Sequence, residues 1–231
     1  MKKRKDKIRD HFQKEAVIFD ERVVKVAPNY RDMIEALVAA IQFKKKKPIK
    51  IADLGGGTGT VTYLVKKKFP KAQVTCIDIS QNMLDIACAK LKGMSNVEFV
   101  LADIENLKFN GKYDAIVSSL VLHHVEPGKN KAEVYRKIYG ALKNGGLFVN
   151  ADIIVSADKN IQQIYLNKWA EFILKSFSRK QLEHNHRRYK REDRPATLQN
   201  EINALKQAGF KKVEIFWKYY NFVTYSAQKN N

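Results

Sequence analysis

Ile49-Lys50-Ile51-Ala52-Asp53-Leu54-Gly55-Gly56-Gly57-Thr58-Gly59-Thr60 decides how this chain folds, because it reads as a buried strand that turns at once into a helix. Ile49 to Leu54 is a short apolar run closed by glycines, and Thr60 to Phe69 places Val61, Leu64 and Val65 at helical spacing. A turn this sharp lets the backbone approach a ligand and aims the first helical N–H groups at it, which a Cβ would obstruct. The glycines are spaced Gly55-x-Gly57-x-Gly59. A dinucleotide fingerprint needs Gly-x-Gly-x-x-Gly, and counted from Gly55 its last position is Thr60; a phosphate-binding P-loop needs a closing Gly-Lys-Ser/Thr, which is missing.

The same alternation continues to residue 153. Gln73 to Asp78 is a second strand, followed by a helix that Ser80 can cap, with Met83, Leu84, Ala87 and Leu91 on one face and Gly93 as its stop. Asn96 to Leu101 and Tyr113 to Ser119 are the third and fourth strands. A helix carrying Tyr135, Ile138, Ala141 and Leu142 ends at Asn144-Gly145-Gly146, and Leu147 to Ile153 is the fifth strand. Short, near-continuous apolar strands separated by helices indicate a parallel sheet wound on both faces.

Ligands of such sheets bind outside the carboxyl ends of the strands, and acids recur there. Asp53 precedes the glycine turn. Asp78 ends the second strand, where a carboxylate can accept both hydroxyl hydrogens of a ribose, with Ile79 and Met83 beside it. Asp103 follows the third strand and can accept from an adenine amino group while Ile104 covers the ring; Ser119 to Leu122 close the far side. Taken together, Ile51 to Thr60, Asp78, Ala102-Asp103-Ile104, Tyr113 to Val117 and Leu142 to Gly146 resemble the successive motifs of class I S-adenosylmethionine-dependent methyltransferases. The resemblance implies a Rossmann-like seven-stranded sheet with strand seven antiparallel beside strand five. It also implies S-adenosylmethionine as cofactor, held by Gly55, Gly57 and Gly59 at the methionine end, Asp78 at the ribose, and Asp103 with Ile104 at the adenine.

A second, narrower resemblance lies at the chain ends. Phe19-Asp20-Glu21-Arg22-Val23, Pro28-Asn29-Tyr30, Ala208-Gly209-Phe210 and Asn221-Phe222 are similar to the tRNA wobble-uridine carboxymethyltransferases, which use carboxy-S-adenosylmethionine. That likeness implies cofactor contact by Tyr30 and a carboxylate-reading arginine from the lid region, a role open to Arg191 or Arg194. The glycine turn has the generic methyltransferase form, so the carboxy form of the cofactor stands as the alternative.

The 231 residues, 45% of them hydrophobic, suffice for one substantial core. The expected organisation is one domain: an N-terminal helical segment (1–45), a cofactor-binding core (46–155), a helical lid or acceptor region (156–196), and a closing helix and strand pair (197–231). In the first segment Met33, Leu37, Ala40 and Ile41 share a face of a helix from Tyr30 to Phe43. The last part holds a helix capped by Thr197 and stopped by Gly209, then strands Lys212 to Lys218 and Tyr220 to Ser226.

The basic start (Lys2, Lys3, Arg4, Lys5) is followed by polar residues and does not read as a signal peptide, and no segment has the apolar length of a membrane span. Two isolated cysteines, Cys76 and Cys88, fit a reducing cytoplasm. The balance of 43 Lys+Arg against 24 Asp+Glu, a formal +19, makes RNA an alternative partner. Lysine runs at residues 44–47 and 66–68 equally suit solvated faces. A homodimer is compatible with the sequence, and no metal-ligand spacing stands out: His184 and His186 lack a third ligand nearby.

His123 and His124, just past the fourth strand, are the candidates for a general base. Tyr165, Trp169 and Phe172 are candidates for an acceptor wall, with the basic run Arg187, Arg188, Lys190 and Arg191 as an anion clamp. The expected activity is methyl transfer to a small molecule. A tRNA wobble-uridine (carboxy)methyltransferase is the alternative within the class; a nicotinamide oxidoreductase or a non-catalytic cofactor-binding module are alternatives outside it.

Overall fold

Strands that are apolar on both sides must be covered on both faces, and the chain does so with helices placed alternately above and below one sheet. The computed structural model describes residues 4–44 and 48–230. Lys2 and Lys3 of the basic start, and residues 45–47 of the first lysine run, lie outside them.

Three helices come first: α1 (Arg4–Glu15), α2 (Phe19–Val26) and α3 (Tyr30–Ala40). The sequence led to an expected helix only for the third, which ends at Ala40 instead of Phe43. The core alternation follows as β1 (Lys50–Leu54), α4 (Thr60–Lys68), β2 (Gln73–Asp78), α5 (Gln81–Lys90), β3 (Val97–Leu101), β4 (Tyr113–Ser119), α6 (Lys129–Ala141) and β5 (Leu142–Ile153). The lid region forms α7 (Lys159–Ile173) and α8 (Arg179–Glu192), each started by a side-chain cap from Asp158 and Ser178 respectively. The chain closes with α9 (Leu198–Ala208), β6 (Lys212–Tyr219) and β7 (Phe222–Gln228).

The sheet order is β3-β2-β1-β4-β5-β7-β6. Strands β1 to β5 run parallel, and β7 is antiparallel to both β5 and β6. The seven-stranded arrangement implied by the methyltransferase resemblance is therefore present. One boundary differs: β5 starts at Leu142, paired with Tyr113, and the register shifts before Leu147 pairs with Ala115. Asn144-Gly145-Gly146 is thus an irregularity within the strand and not the gap between helix and strand.

Alternate strand residues feed two cores. Ala52, Leu54, Ile116 and Phe148 meet α6 and α9 through Tyr135, Ile138, Leu205 and Phe210. Ile51, Ala115, Val117 and Val149 face α3 and α4 through Met33, Leu37, Val61 and Val65. Beside the first core a buried polar chain ties α6, α9 and β7. Glu201 accepts from Lys131 at 2.5 Å and from the Tyr135 hydroxyl, while Tyr225 accepts from Asn150 at 2.9 Å. Among the described residues no helix is long and apolar enough to cross a membrane.

Gly59 shows how local geometry and packing coincide. It is the N-cap of α4 at φ 81°, and a Cβ there would stand 3.0 Å from the Ala87 Cβ and the Leu91 Cδ1 of the neighbouring helix segment. Gly59→Ala should lower stability by about 1–3 kcal/mol, from left-handed strain plus the contact, as a shift in the urea-unfolding midpoint. An unchanged midpoint would mean that the turn re-forms in another conformation.

Candidate functional site

The turns after β1 and β4 meet at the carboxyl edge of the sheet. A Cβ on Gly55, whose φ is 65°, would lie 2.1 Å from the Val121 Cγ2, so only a bare backbone allows the β4 loop to come so close. Leu120, before Val121, also has a left-handed φ of 54°, its N–H donating to the Ala151 carbonyl at 2.8 Å. Strain of this kind in a non-glycine residue costs on the order of 1–3 kcal/mol and concentrates at functional sites.

Above this junction lies a cavity of about 960 Å³, including its open mouth. Gly55, Gly56 and Gly57 form its base; Asp78, Ile79 and Met83 line one side, Asp103 and Ile104 the next, and Ser119, Leu120 and Val121 the third. Residues 5–19 and Tyr30 form the roof, with Lys5, Ile8, Phe12 and Phe19 facing in. A volume of this order suits a nucleoside-sized ligand.

The acids differ in state. Asp78 accepts from the Gly57 and Ser80 N–H groups at 2.9 and 2.8 Å; burial raises its pKa against the pull of these amides. Asp103 accepts from Lys5 at 2.9 Å and Asn106 at 3.0 Å, so α1 already bonds the acid expected at the adenine. Asp53 is buried beneath the turn and does not line the cavity. Its Oδ2 accepts from the Thr62 hydroxyl at 2.7 Å while its Oδ1 has no partner, and burial, with Asp78 adding to it, pushes its pKa up to about 6. Tyr30 keeps its proton, since burial and the nearby Asp20 and Asp53 raise its pKa.

A second cavity, of about 950 Å³, adjoins the first and shares Phe12, Phe19, Leu120 and His124 with it. The histidines sit at this boundary in opposite states. His123 is buried, with Nδ1 2.5 Å from Asp152 Oδ1 and Nε2 3.8 Å from Asp193 Oδ1. Burial opposes its charge, but the two carboxylates prevail and raise its pKa. His124 stacks against it, ring centroids 4.0 Å apart, and its pKa is lowered by burial first and then by His123. Its Nδ1 stands 3.2 Å from Asp193 Oδ1, which favours its charge, while its Nε2 is buried without a hydrogen-bond partner. His123, His124 and Asp193 thus each bring a donor or acceptor atom within 4.8 Å of the others.

Other expected residues fall elsewhere. Gly59 packs on α5 and lines neither cavity. Trp169 lines the second cavity and donates to the Val26 carbonyl at 2.9 Å. Tyr165 lines neither cavity and accepts from Lys218 at 3.1 Å, because its face of α7 turns toward β6. Arg191 is half-exposed and pairs with the adjacent Glu192, and Arg194 reaches the Lys190 and Asp193 carbonyls, so neither arginine lines the site. The arginines in the second cavity are Arg22 and Arg188. Sequence gave no warning of Phe12, Asp152 or Asp193; the stretch Phe19 to Val23 was the one signal for Phe19 and Arg22.

Residues 51–146 match the model of a methyltransferase domain. The chain is 28% identical over 217 residues to the carboxy-S-adenosyl-L-methionine synthase of Nautilia profundicola, covering 93% of this chain and 92% of that protein. It is 29% identical over 219 residues to the protein of the same name from Campylobacter fetus subsp. fetus, covering 92% and 91%. In fold it is similar to an O-methyltransferase family protein from Burkholderia thailandensis (TM-score 0.68, 14% identity, 93% of this chain and 59% of that one). It is likewise similar to a Haemonchus contortus phosphoethanolamine N-methyltransferase solved with S-adenosylhomocysteine (TM-score 0.65, 17% identity, 88% and 54%). The chain spans little more than half the length of these two structures.

The buried Asp53 generates a pH dependence with a definite sign. A carboxyl whose folded pKa is about 6 against an ordinary value of 3.8 holds its proton more tightly in the folded state, so the stability it contributes falls as pH rises between those values. Asp53→Asn, which has no such proton, should gain on the parent protein by roughly 1–3 kcal/mol between pH ~4 and pH ~7. Denaturant midpoints of both proteins across this range check it; parallel curves would place the raised pKa elsewhere.

Proposed function

We propose that the chain, whose residues 51–146 match a methyltransferase domain, is a class I S-adenosylmethionine-dependent methyltransferase that methylates a small molecule held in the second cavity, with His124 as the base. The observation that carries this reading is the shared wall. His124 lines both cavities with an Nε2 that has no hydrogen-bond partner, while His123 is engaged by Asp152 and lines only the second.

The first cavity fits the cofactor. Gly55 leaves the space a side chain would fill, Asp78 offers a carboxylate for ribose hydroxyls, and Ile79, Met83 and Ile104 offer apolar surface to a purine. Tyr30, Gly57 and Ser119 complete the lining. When bound, S-adenosylmethionine supplies a methyl group on a sulfonium, a centre needing mainly an aligned nucleophile and exclusion of water. Phe12, Phe19 and Leu120 keep the boundary apolar, and Trp169 covers the acceptor side. His124, whose pKa burial and His123 hold down, would be placed to take the acceptor's proton. Asp152 and Asp193 favour the charged form of His123, which in turn opposes protonation of His124.

A second reading is favoured by one observation: relatives matched along 93% of this chain are named carboxy-S-adenosyl-L-methionine synthases. On that reading the chain makes or takes the carboxylated cofactor. Native mass spectrometry of the purified protein separates the two by the mass of the retained ligand, and also reports whether it is a dimer. The formal +19 supports an RNA acceptor, against which stands the position of the second cavity between α2, α7, α8 and the sheet. Binding that weakens steeply with salt would favour RNA.

Asp78→Ala should weaken S-adenosylhomocysteine binding by roughly 1–3 kcal/mol in calorimetry, and unchanged affinity would remove the ribose from this edge. For turnover, His124→Gln should reduce kcat by about 10²–10⁴-fold. The acid limb of the kcat/KM profile should lie below pH 6.5, the direction of the His124 shift. A limb above 6.5 would transfer the role to His123, whose pKa is raised.

A further inference from the structure

The far wall of the second cavity contains buried hydrogen-bond donors that the protein leaves unsatisfied. Arg22 on α2 uses Nη1 on Glu15 at 3.0 Å and Nη2 on Asn185 Oδ1 at 2.9 Å, yet its Nε is buried with no acceptor. Asn185 on α8 is 3% exposed, and its Nδ2 also lacks an acceptor. Both residues line the cavity. Orphaned buried donors are rare and costly, and two on neighbouring groups in one cavity call for a ligand that accepts from both.

The charge around them is mixed: Arg22 and Arg188 line the cavity together with Glu15, Glu192 and Asp193. Glu15 is the carboxylate within ion-pair reach of Arg22, Arg188 and His11, at 3.0, 3.6 and 3.3 Å respectively. Burial alone would raise the Glu15 pKa, and these three groups draw it below its ordinary value instead. Arg188 is desolvated enough that its own pKa falls, although Glu15, Glu192 and Asp193 support its charge. Both guanidiniums share Glu15, and the donors left over, Arg22 Nε and Asn185 Nδ2, suit an oxyanion.

Building on the methyl-transfer reading, we propose that this wall is a carboxylate site: the acceptor is a small organic acid whose carboxylate accepts from Arg22 Nε and Asn185 Nδ2. Its apolar body lies against Phe12, Phe19 and Trp169, and its nucleophile reaches His124. These donors belong to α2 and α8 and do not line the cofactor cavity, so acceptor recognition and cofactor binding separate by mutation. The Arg22 Cζ also lies 6.0 Å from the centroid of the Phe177 ring.

The test uses the full chain loaded with S-adenosylhomocysteine, whose binding is confirmed first; failure at that step is a failure of the methyl-transfer reading and not of this site. Calorimetry then compares acid and amide pairs: benzoate with benzamide, 4-hydroxyphenylacetate with 4-hydroxyphenylacetamide, and indole-3-acetate with indole-3-acetamide. We expect at least one acid to bind about tenfold or more tightly than its amide, the effect of a charge-assisted hydrogen-bond pair. Arg22→Met and, separately, Asn185→Leu should erase that preference, with S-adenosylhomocysteine affinity kept as evidence of folding. Arg22→Lys, which keeps the charge but not the Nε donor, should recover only part of it. Equal binding of acids and amides, binding of neither, or a preference that survives both variants would overturn the proposal. So would a preference for the carboxylated cofactor over S-adenosylmethionine that Arg22→Met abolishes, since the carboxylate would then belong to the cofactor.

Discussion

The contact between Gly55 and Val121 is the constraint on which the site depends. Parallel strands bring their carboxyl ends to one edge, but the loops after them would normally be kept apart by their own side chains. A bare backbone after β1 lets Val121 settle where a Cβ would stand, and this sets Leu120 and the two histidines at a fixed height over the sheet. The left-handed φ of Leu120 is the local cost of that placement. Both cavities are bounded by this one loop, so the geometry between them follows from the β1 turn and not from the lid.

Over that floor, the division into two cavities is made by side chains from a part of the chain that contributes nothing to the sheet. Phe12 and Phe19 complete the boundary that Leu120 and His124 begin. Helix α1 is held there by polar contacts: Lys5 on Asp103 and Glu105, and Gln13 on Ser80 and Asn82. A roof fastened by exposed or half-exposed polar contacts is weakly held, because such pairs contribute little in water. The acid that the adenine would need is among its anchors, which couples the position of the roof to what occupies the first cavity.

The sheet was readable in the sequence because its physics is local. Ile49 to Leu54 or Tyr113 to Ser119 must be buried strands whatever surrounds them, and acids at successive strand ends acquire meaning from the one rule that ligands gather there. Helix α1 was not readable: Arg4 to Glu15 buries only Ile8, so no apolar stripe announces it. Of the basic run that composition offers as an anion clamp, Arg188 is the member that lines the cavity, while Arg191, three positions further and nearly a turn away, does not and pairs with Glu192. Asp53 had the right neighbours for a cofactor ligand, and its burial beneath the turn became apparent only when Thr62 and Cys76 were placed around it.

The histidine pair shows why adjacency in sequence does not imply equivalence in chemistry. His123 and His124 share one short turn, but the first points between two carboxylates from β5 and the end of α8, residues 29 and 70 positions further along. Those carboxylates favour its protonated form, and a proton there, with the ring centroids 4.0 Å apart, opposes a second one on His124. The member whose pKa is lowered is the one left at the cavity boundary. A base next to a fixed positive charge is weaker than an isolated imidazole but retains its unprotonated form more fully at neutral pH, and proton removal from an acidic nucleophile such as a phenol loses little driving force by that exchange. The electrostatics of the pair therefore favour acceptors whose own proton is weakly held, which agrees with a cavity that offers aromatic walls and donors for an acid.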